Sequence, residues 1–148
     1  MDEPEYYHLM GEPLSHPLLP RFIEMARASG FRSVVTTNGT LLASRGRAML
    51  DAGVYKVNVS LHSFEEGGAA AEKEYLSGVC DFLDEARDAG VLCVLRLWNE
   101  GCDGGRNARI LDFLRARLAG EWAENTEGFR IRHRLHLEWG ERFAWPDM

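Results

Sequence analysis

The sequence predicts an α/β fold of parallel strands, either an open doubly wound sheet or a piece of a (β/α) barrel. Short β-rich runs alternate with amphipathic stretches along the chain. Four of those stretches close on glycine: Ala28-Ser29-Gly30, Asp51-Ala52-Gly53, Asp88-Ala89-Gly90 and Leu118-Ala119-Gly120. Glycine takes the left-handed conformation that stops a helix. Strict alternation of this kind calls for parallel strands joined by right-handed crossovers.

The pattern predicts strands near 6–10, 32–37, 54–61, 91–98 and 130–138, and helices near 18–29, 41–52, 70–89 and 107–119. The first strand, Tyr6 to Met10, is aromatic and apolar. In the helix after it, Leu18, Leu19, Phe22, Ile23 and Ala26 share one face, and Pro17 and Pro20 suit a first turn, where a missing N–H is tolerated. Val34-Val35-Thr36-Thr37 is the second strand. The third, Val57-Asn58-Val59-Ser60-Leu61-His62, alternates cleanly: Val57, Val59 and Leu61 on one face, Asn58, Ser60 and His62 on the other. In the long helix that follows, Tyr75, Leu76, Val79, Phe82, Leu83 and Ala86 form the apolar stripe. The fourth strand is apolar except for Arg96. In the last, Arg130, Arg132, Arg134 and His136 give one polar face, suited to a wet cavity or an exposed surface.

Composition fits one domain of ordinary globular character. The chain has 148 residues, 45% hydrophobic and 27% charged. No apolar run approaches the roughly 18 residues a membrane helix needs. The start, Met-Asp-Glu-Pro-Glu, lacks the basic and apolar regions of a secretory signal, so the cytoplasm is the default expectation. A net charge of −6 opposes a general nucleic-acid surface. Three cysteines make no disulfide framework.

In parallel α/β folds, ligands sit at the C-terminal ends of the strands. There the sequence reads Gly11-Glu12-Pro13-Leu14-Ser15-His16-Pro17, then Thr36-Thr37-Asn38-Gly39-Thr40, then Ser60-Leu61-His62-Ser63, then Arg96-Leu97-Trp98-Asn99. Gly-Glu-Pro alone is an ordinary turn. Asn38-Gly39 supports a tight turn, and Thr40 suits a helix cap. Polar groups on the inner face of a central strand are unfavourable unless they bind something, which favours a functional role for Asn58, Ser60 and His62. Arg96 calls for an anionic partner, either a structural carboxylate or a ligand's.

The order and spacing of Gly11-Glu12-Pro13-Leu14-x-His16-Pro17, Thr36-Thr37-Asn38-Gly39-Thr40 and Val57-Asn58-Val59-Ser60-Leu61-His62-Ser63 resembles the radical S-adenosylmethionine (SAM) superfamily, from about residue 6 to about residue 100. The tail, Leu137 to Pro146, resembles the stretch before the auxiliary-cluster domain in the subgroup with a C-terminal SPASM extension. The resemblance implies a partial (β/α) barrel over the whole chain. Clear βα repeats would reach about residue 120, and residues 121–148 would hold the last strand and the start of the extension. It also implies SAM and a [4Fe–4S] cluster as cofactors, and reductive cleavage of SAM to a 5′-deoxyadenosyl radical that attacks a peptide or small molecule. By resemblance, Gly11 and Glu12 hold the SAM amino group, Ser60 contacts the ribose or carboxylate, Arg96 pairs with the carboxylate, Asn99 meets the ribose, and Thr37 and Asn38 line the pocket floor.

The chain departs from the family in one respect. The cluster-binding C-x3-C-x2-C motif is absent, and Cys80, Cys93 and Cys102 are 13 and then 9 residues apart. Buried structural thiols are the better account of them. The expectation is a core whose first strand and cysteine loop lie outside this sequence, inactive alone, with an exposed strand edge at Tyr6–Met10 that favours self-association. Two alternatives are a non-catalytic α/β binding module and an unrelated α/β enzyme using Glu12 and His62 as acid and base.

Overall fold

The computed structural model describes residues 6–9, 12–61, 68–98 and 106–140. Chain order is β1 (Tyr6–Leu9), a 3₁₀ turn (Pro13–Ser15), α1 (Leu19–Ala28), β2 (Arg32–Thr37), α2 (Leu42–Asp51), β3 (Lys56–Leu61), α3 (Gly68–Ala89), β4 (Leu92–Trp98), α4 (Arg106–Arg117), β5 (Ala123–Glu124), β6 (Gly128–Arg132) and β7 (Leu135–Gly140). The strands form one sheet in the order β1-β2-β3-β4-β7-β6-β5. From β1 to β7 every pairing is parallel; β7–β6 and β6–β5 are antiparallel. This is a partial (β/α) barrel, as expected. No helix among the described residues is long and apolar enough to cross a membrane.

The core follows from strand parity. Val57 and Val59 are fully buried, as are Leu95 and Leu97 one strand over, and all four join the hydrophobic core with residues of α1 to α4. Burying each such side chain stabilises the fold by about 1.5–3 kcal/mol. In α3, Leu76, Val79, Phe82, Leu83 and Ala86 are buried as the spacing predicts. Phe82 packs on Gly46 of α2, where an added Cβ would lie 2.5 Å from its ring. The α1 stripe is narrower than expected. Leu19, Ile23 and Ala26 are buried, but Leu18 and Phe22 are exposed, at 50% and 39%.

The C-terminal part departs from the single strand expected at 130–138. Residues 128–140 form a β6–β7 hairpin that turns at His133-Arg134, with Arg134 in the left-handed region at φ 59°. The pairing register shifts between Arg130 and Arg132, a bulge that breaks the alternation of the arginines. Arg132 consequently reaches back to α3, donating to the Leu83 carbonyl at 3.3 Å and to Asp84 at 3.2 Å.

Of the four glycine stops, Gly30, Gly53 and Gly90 have positive φ. Gly120 does not. It is needed for close approach, because a Cβ there would collide with the Ile131 carbonyl of β6.

Candidate functional site

All four helices pack against one face of the sheet, since their buried residues share a core with Val57, Val59, Leu95 and Leu97. The alternate residues of each strand therefore face away from the helices. Register aligns them in rows across β2, β3, β4 and β7. The first row, towards the strand N-termini, is Val34, Lys56 and Leu92. The second is Thr36, Asn58, Val94 and His136; the third is Ser60, Arg96 and Glu138. Polarity rises row by row towards the C-terminal edge, where α/β folds bind ligands.

The third row places Arg96 between Ser60 and Glu138. Its Nε lies 3.9 Å from a Glu138 carboxylate oxygen, beyond hydrogen-bond distance, and both side chains are more than a third exposed. An ion pair of this kind contributes little to stability, and among the described residues no hydrogen bond occupies the guanidinium's donors, which suits an anion. Both possibilities left open by the sequence are thus compatible with Arg96. In the second row Asn58 is buried. Its Nδ2 donates to Thr36 Oγ1 at 3.4 Å, while its Oδ1 is buried with no hydrogen-bond partner among the described residues. An unmet buried acceptor is destabilising, and a donor from a ligand would satisfy it.

Glu12 occupies a position between fold and site. Thr37 Oγ1 donates to one of its carboxylate oxygens at 2.7 Å, and the Asn38 N–H donates to the other at 3.0 Å. The carboxylate thus ties the segment after β1 to the turn after β2, across 25 residues of sequence. Thr37 is buried and pairs in register with the core residue Val59, so it lies on the helix side and positions the turn. Its hydroxyl also accepts the Gly39 N–H at 3.1 Å.

Asn38 Oδ1 accepts both the N–H and the hydroxyl of Thr40, at 3.0 and 2.7 Å, which closes an Asx turn. Thr40 is therefore bound to Asn38 and does not cap α2, whose N-cap is Leu41 without a side-chain bond. Gly39 has φ 85° and lies 3.1 Å from Tyr75 Oη, measured from where its Cβ would be. Any side chain would be strained and crowded there. Tyr75 donates to the Asn38 carbonyl at 2.6 Å, fixing the turn from α3.

Of the sequence-predicted site residues, Ser60 and Arg96 fall in one row, and Glu12, Thr37 and Asn38 fall in one hydrogen-bonded cluster. Gly11 and Asn99 lie outside the described residues, as do His62 and Cys102. Thr36, Asn58, His136 and Glu138 join the open face without having been singled out as ligand contacts. Parity along β3 already signalled Asn58. Nothing in the sequence signals Tyr75, which sits in an apolar stripe.

A cluster cofactor does not fit the described residues. They contain no group of three or more His, Cys, Asp or Glu able to hold a metal ion. Cys80 and Cys93 are buried free thiols, and burial raises both to about 12, far from the thiolate that ligates iron.

No family model matches the sequence. Curated relatives do. A GTP 3′,8-cyclase from Thermodesulfovibrio yellowstonii is 39% identical over 85 residues, 55% of this chain and 26% of that protein. One from Nautilia profundicola is 34% identical over 140 residues, 92% of this chain and 41% of that protein. The solved structure of archaeal TYW1 superposes with a TM-score of 0.55 at 20% identity, covering 76% of this chain and 39% of that one, and this likeness shows the fold.

The chain belongs to the radical SAM superfamily. It spans about a quarter to two fifths of the length of these cyclases. Members of the superfamily use SAM and a [4Fe–4S] cluster.

Proposed function

We propose that the C-terminal edge of the open face is the SAM-binding surface of a radical SAM enzyme. The observation that carries the proposal is the row Ser60–Arg96–Glu138, with the partnerless Asn58 oxygen one row below. SAM presents an ammonium, a carboxylate and a ribose. Arg96 supplies the donor for the carboxylate, Glu138 and the Asn58 oxygen accept from the ammonium or a ribose hydroxyl, and Ser60 does either. Glu12, Thr37 and Asn38 hold the rim through the bonds described above. Thr37 acts as a positioning residue. Gly11 and Asn99 complete the ligand set by family resemblance.

The activity of the whole enzyme would be reductive cleavage of SAM to a 5′-deoxyadenosyl radical. The described residues contribute the binding share of that activity. The names of the curated relatives make a purine nucleotide the first substrate class to test. The burial of Cys80 and Cys93 favours a second reading, a non-catalytic module that binds SAM. Release of 5′-deoxyadenosine from SAM under dithionite, assayed on the chain joined to a C-x3-C-x2-C loop ahead of β1 and reconstituted with iron and sulfide, separates the two.

Calorimetry with the chain as given tests the site. Weak saturable SAM binding is expected, reduced at least about tenfold by Arg96→Ala, the loss of one charge-assisted bond. Affinity that survives Arg96→Ala and Ser60→Ala unchanged would place SAM elsewhere.

A further inference from the structure

The opposite edge of the sheet carries a second concentration of charge. Two adjoining cavities, of about 410 and 460 Å³, open where β2, β3, β4 and β7 begin. The first is lined by Arg27, Arg32 and Arg134, the second by Arg87, Arg132, His133 and Arg134. Gly90, Val91 and Arg134 border both. Neither lining contains an aspartate or glutamate, although the chain as a whole carries −6.

Part of this charge has a structural use. The helices end at this edge, and each C-terminus carries roughly half a negative charge. Four such ends offset about two of the five arginines. Arg132 is engaged with Asp84, which it shares with Arg117. Arg32 stacks on the Tyr55 ring at 4.7 Å, which leaves its charge in place. Arg87 approaches Asp88 only at 4.0 Å, with both side chains exposed. Arg134 stands at the junction, on a turn held by the Cys93 N–H donating to its carbonyl at 2.9 Å. The surplus is positive and is divided between two cavities that meet at one arginine.

We propose that this edge binds a small molecule carrying two linked phosphate groups, one in each cavity, with Arg134 between them. The cavities are of the size that holds small ligands, and concave sites favour a compact anion over an extended nucleic-acid strand. Arg27 and Arg32 face one phosphate; Arg87 and His133 face the other, with Arg132 supplying fixed charge behind them. This site is separate from the SAM surface. β3 alone, Lys56 to Leu61, spans roughly 17 Å between the two edges.

Calorimetry on the full chain with inorganic pyrophosphate and with ADP tests the proposal. Saturable binding is expected, weakened at least about tenfold in Arg134→Asn, where asparagine tolerates the left-handed backbone. Arg87→Gln should weaken it as well, and it remains informative should Arg134→Asn fail to melt cooperatively. Arg47→Gln, on the exposed face of α2, should leave binding unchanged, and SAM should not compete. Equal affinities assign the diphosphate group itself as the ligand, and tighter ADP binding assigns a nucleotide. Absence of saturable binding, affinity undiminished in the Arg87 and Arg134 variants, or tighter binding of a single-stranded RNA oligomer would overturn it.

Discussion

Leu95 and Arg96 are neighbours in β4, yet one is fully buried under the helices and the other stands on an open face beside Glu138. Val57 and Asn58 likewise point to opposite faces of β3, although both are buried. One face of the sheet is built for stability, with buried and mainly apolar side chains. The other keeps Thr36, Asn58, Ser60, Arg96 and Glu138, including an acceptor with no partner. Carrying an unmet polar group on a central strand is destabilising, so the open face points to a use other than folding.

Substitutions that treat the two faces alike should separate them. The largest effect expected is from Leu95→Ala, which should lower unfolding free energy by about 2–5 kcal/mol. Arg96→Ala next to it should change stability by under about 1 kcal/mol. Urea denaturation of both variants makes the comparison. Similar losses from the two would erase the distinction between the faces.

A second effect concerns the rim of the helix layer. Asp84 links α3 to α4 and β6 through Arg117 at 2.9 Å and Arg132 at 3.2 Å. Partial burial works against its charge, but hydrogen bonds from Arg117 and Arg132 prevail and hold its carboxyl below the usual value. A lowered folded-state value means stability that is present above the unfolded-state value, about 3.9, and lost as pH falls through the folded one. Asp84→Asn should therefore cost about 1–2 kcal/mol at neutral pH, a charge-assisted pair at a partly exposed site. It should also flatten the acid limb of a stability–pH profile, and an unchanged limb would contradict the assignment.

Asn58→Leu sharpens the contrast from the other side. Removing the partnerless oxygen should leave stability within about 1 kcal/mol or raise it, while SAM binding falls. A loss beyond about 2 kcal/mol by thermal melting would show that Asn58 is structural. The smallest effect is chemical. Cys80 and Cys93, raised to about 12 by burial, should react with a thiol reagent at pH 8 no faster than the chain opens, as mass spectrometry would record.

Much of this was legible in the sequence because the signals are local. Helical period, strand parity and the stops at Gly30, Gly53 and Gly90 depend on near neighbours, and they located β2, β3, β4 and the four helices. The β6–β7 hairpin was missed because its turn, His133-Arg134, carries neither glycine nor asparagine, and a bulge disguises the alternation. Gly120 reads like the other stops but serves contact with Ile131. On the candidate site, Asn58 and Ser60 follow from parity, and Arg96 from being the one charged residue of an apolar strand. The clamp from Glu12 to Thr37 and Asn38, and the bond from Tyr75 to the Asn38 carbonyl, join residues 25 to 37 positions apart, and no local pattern announces them.

On the proposed reading, the polar, helix-free face holds SAM at its C-terminal edge. Amide chemical-shift mapping on the isotope-labelled chain tests this most directly, since it detects even millimolar binding and reports the place. Titration with SAM should move the amides of Asn38, Asn58, Ser60 and Arg96 along one saturating curve, leaving those of Arg134 and Gly90 at the opposite edge still. Shifts confined to the arginine-lined edge, or none at millimolar SAM, would contradict it.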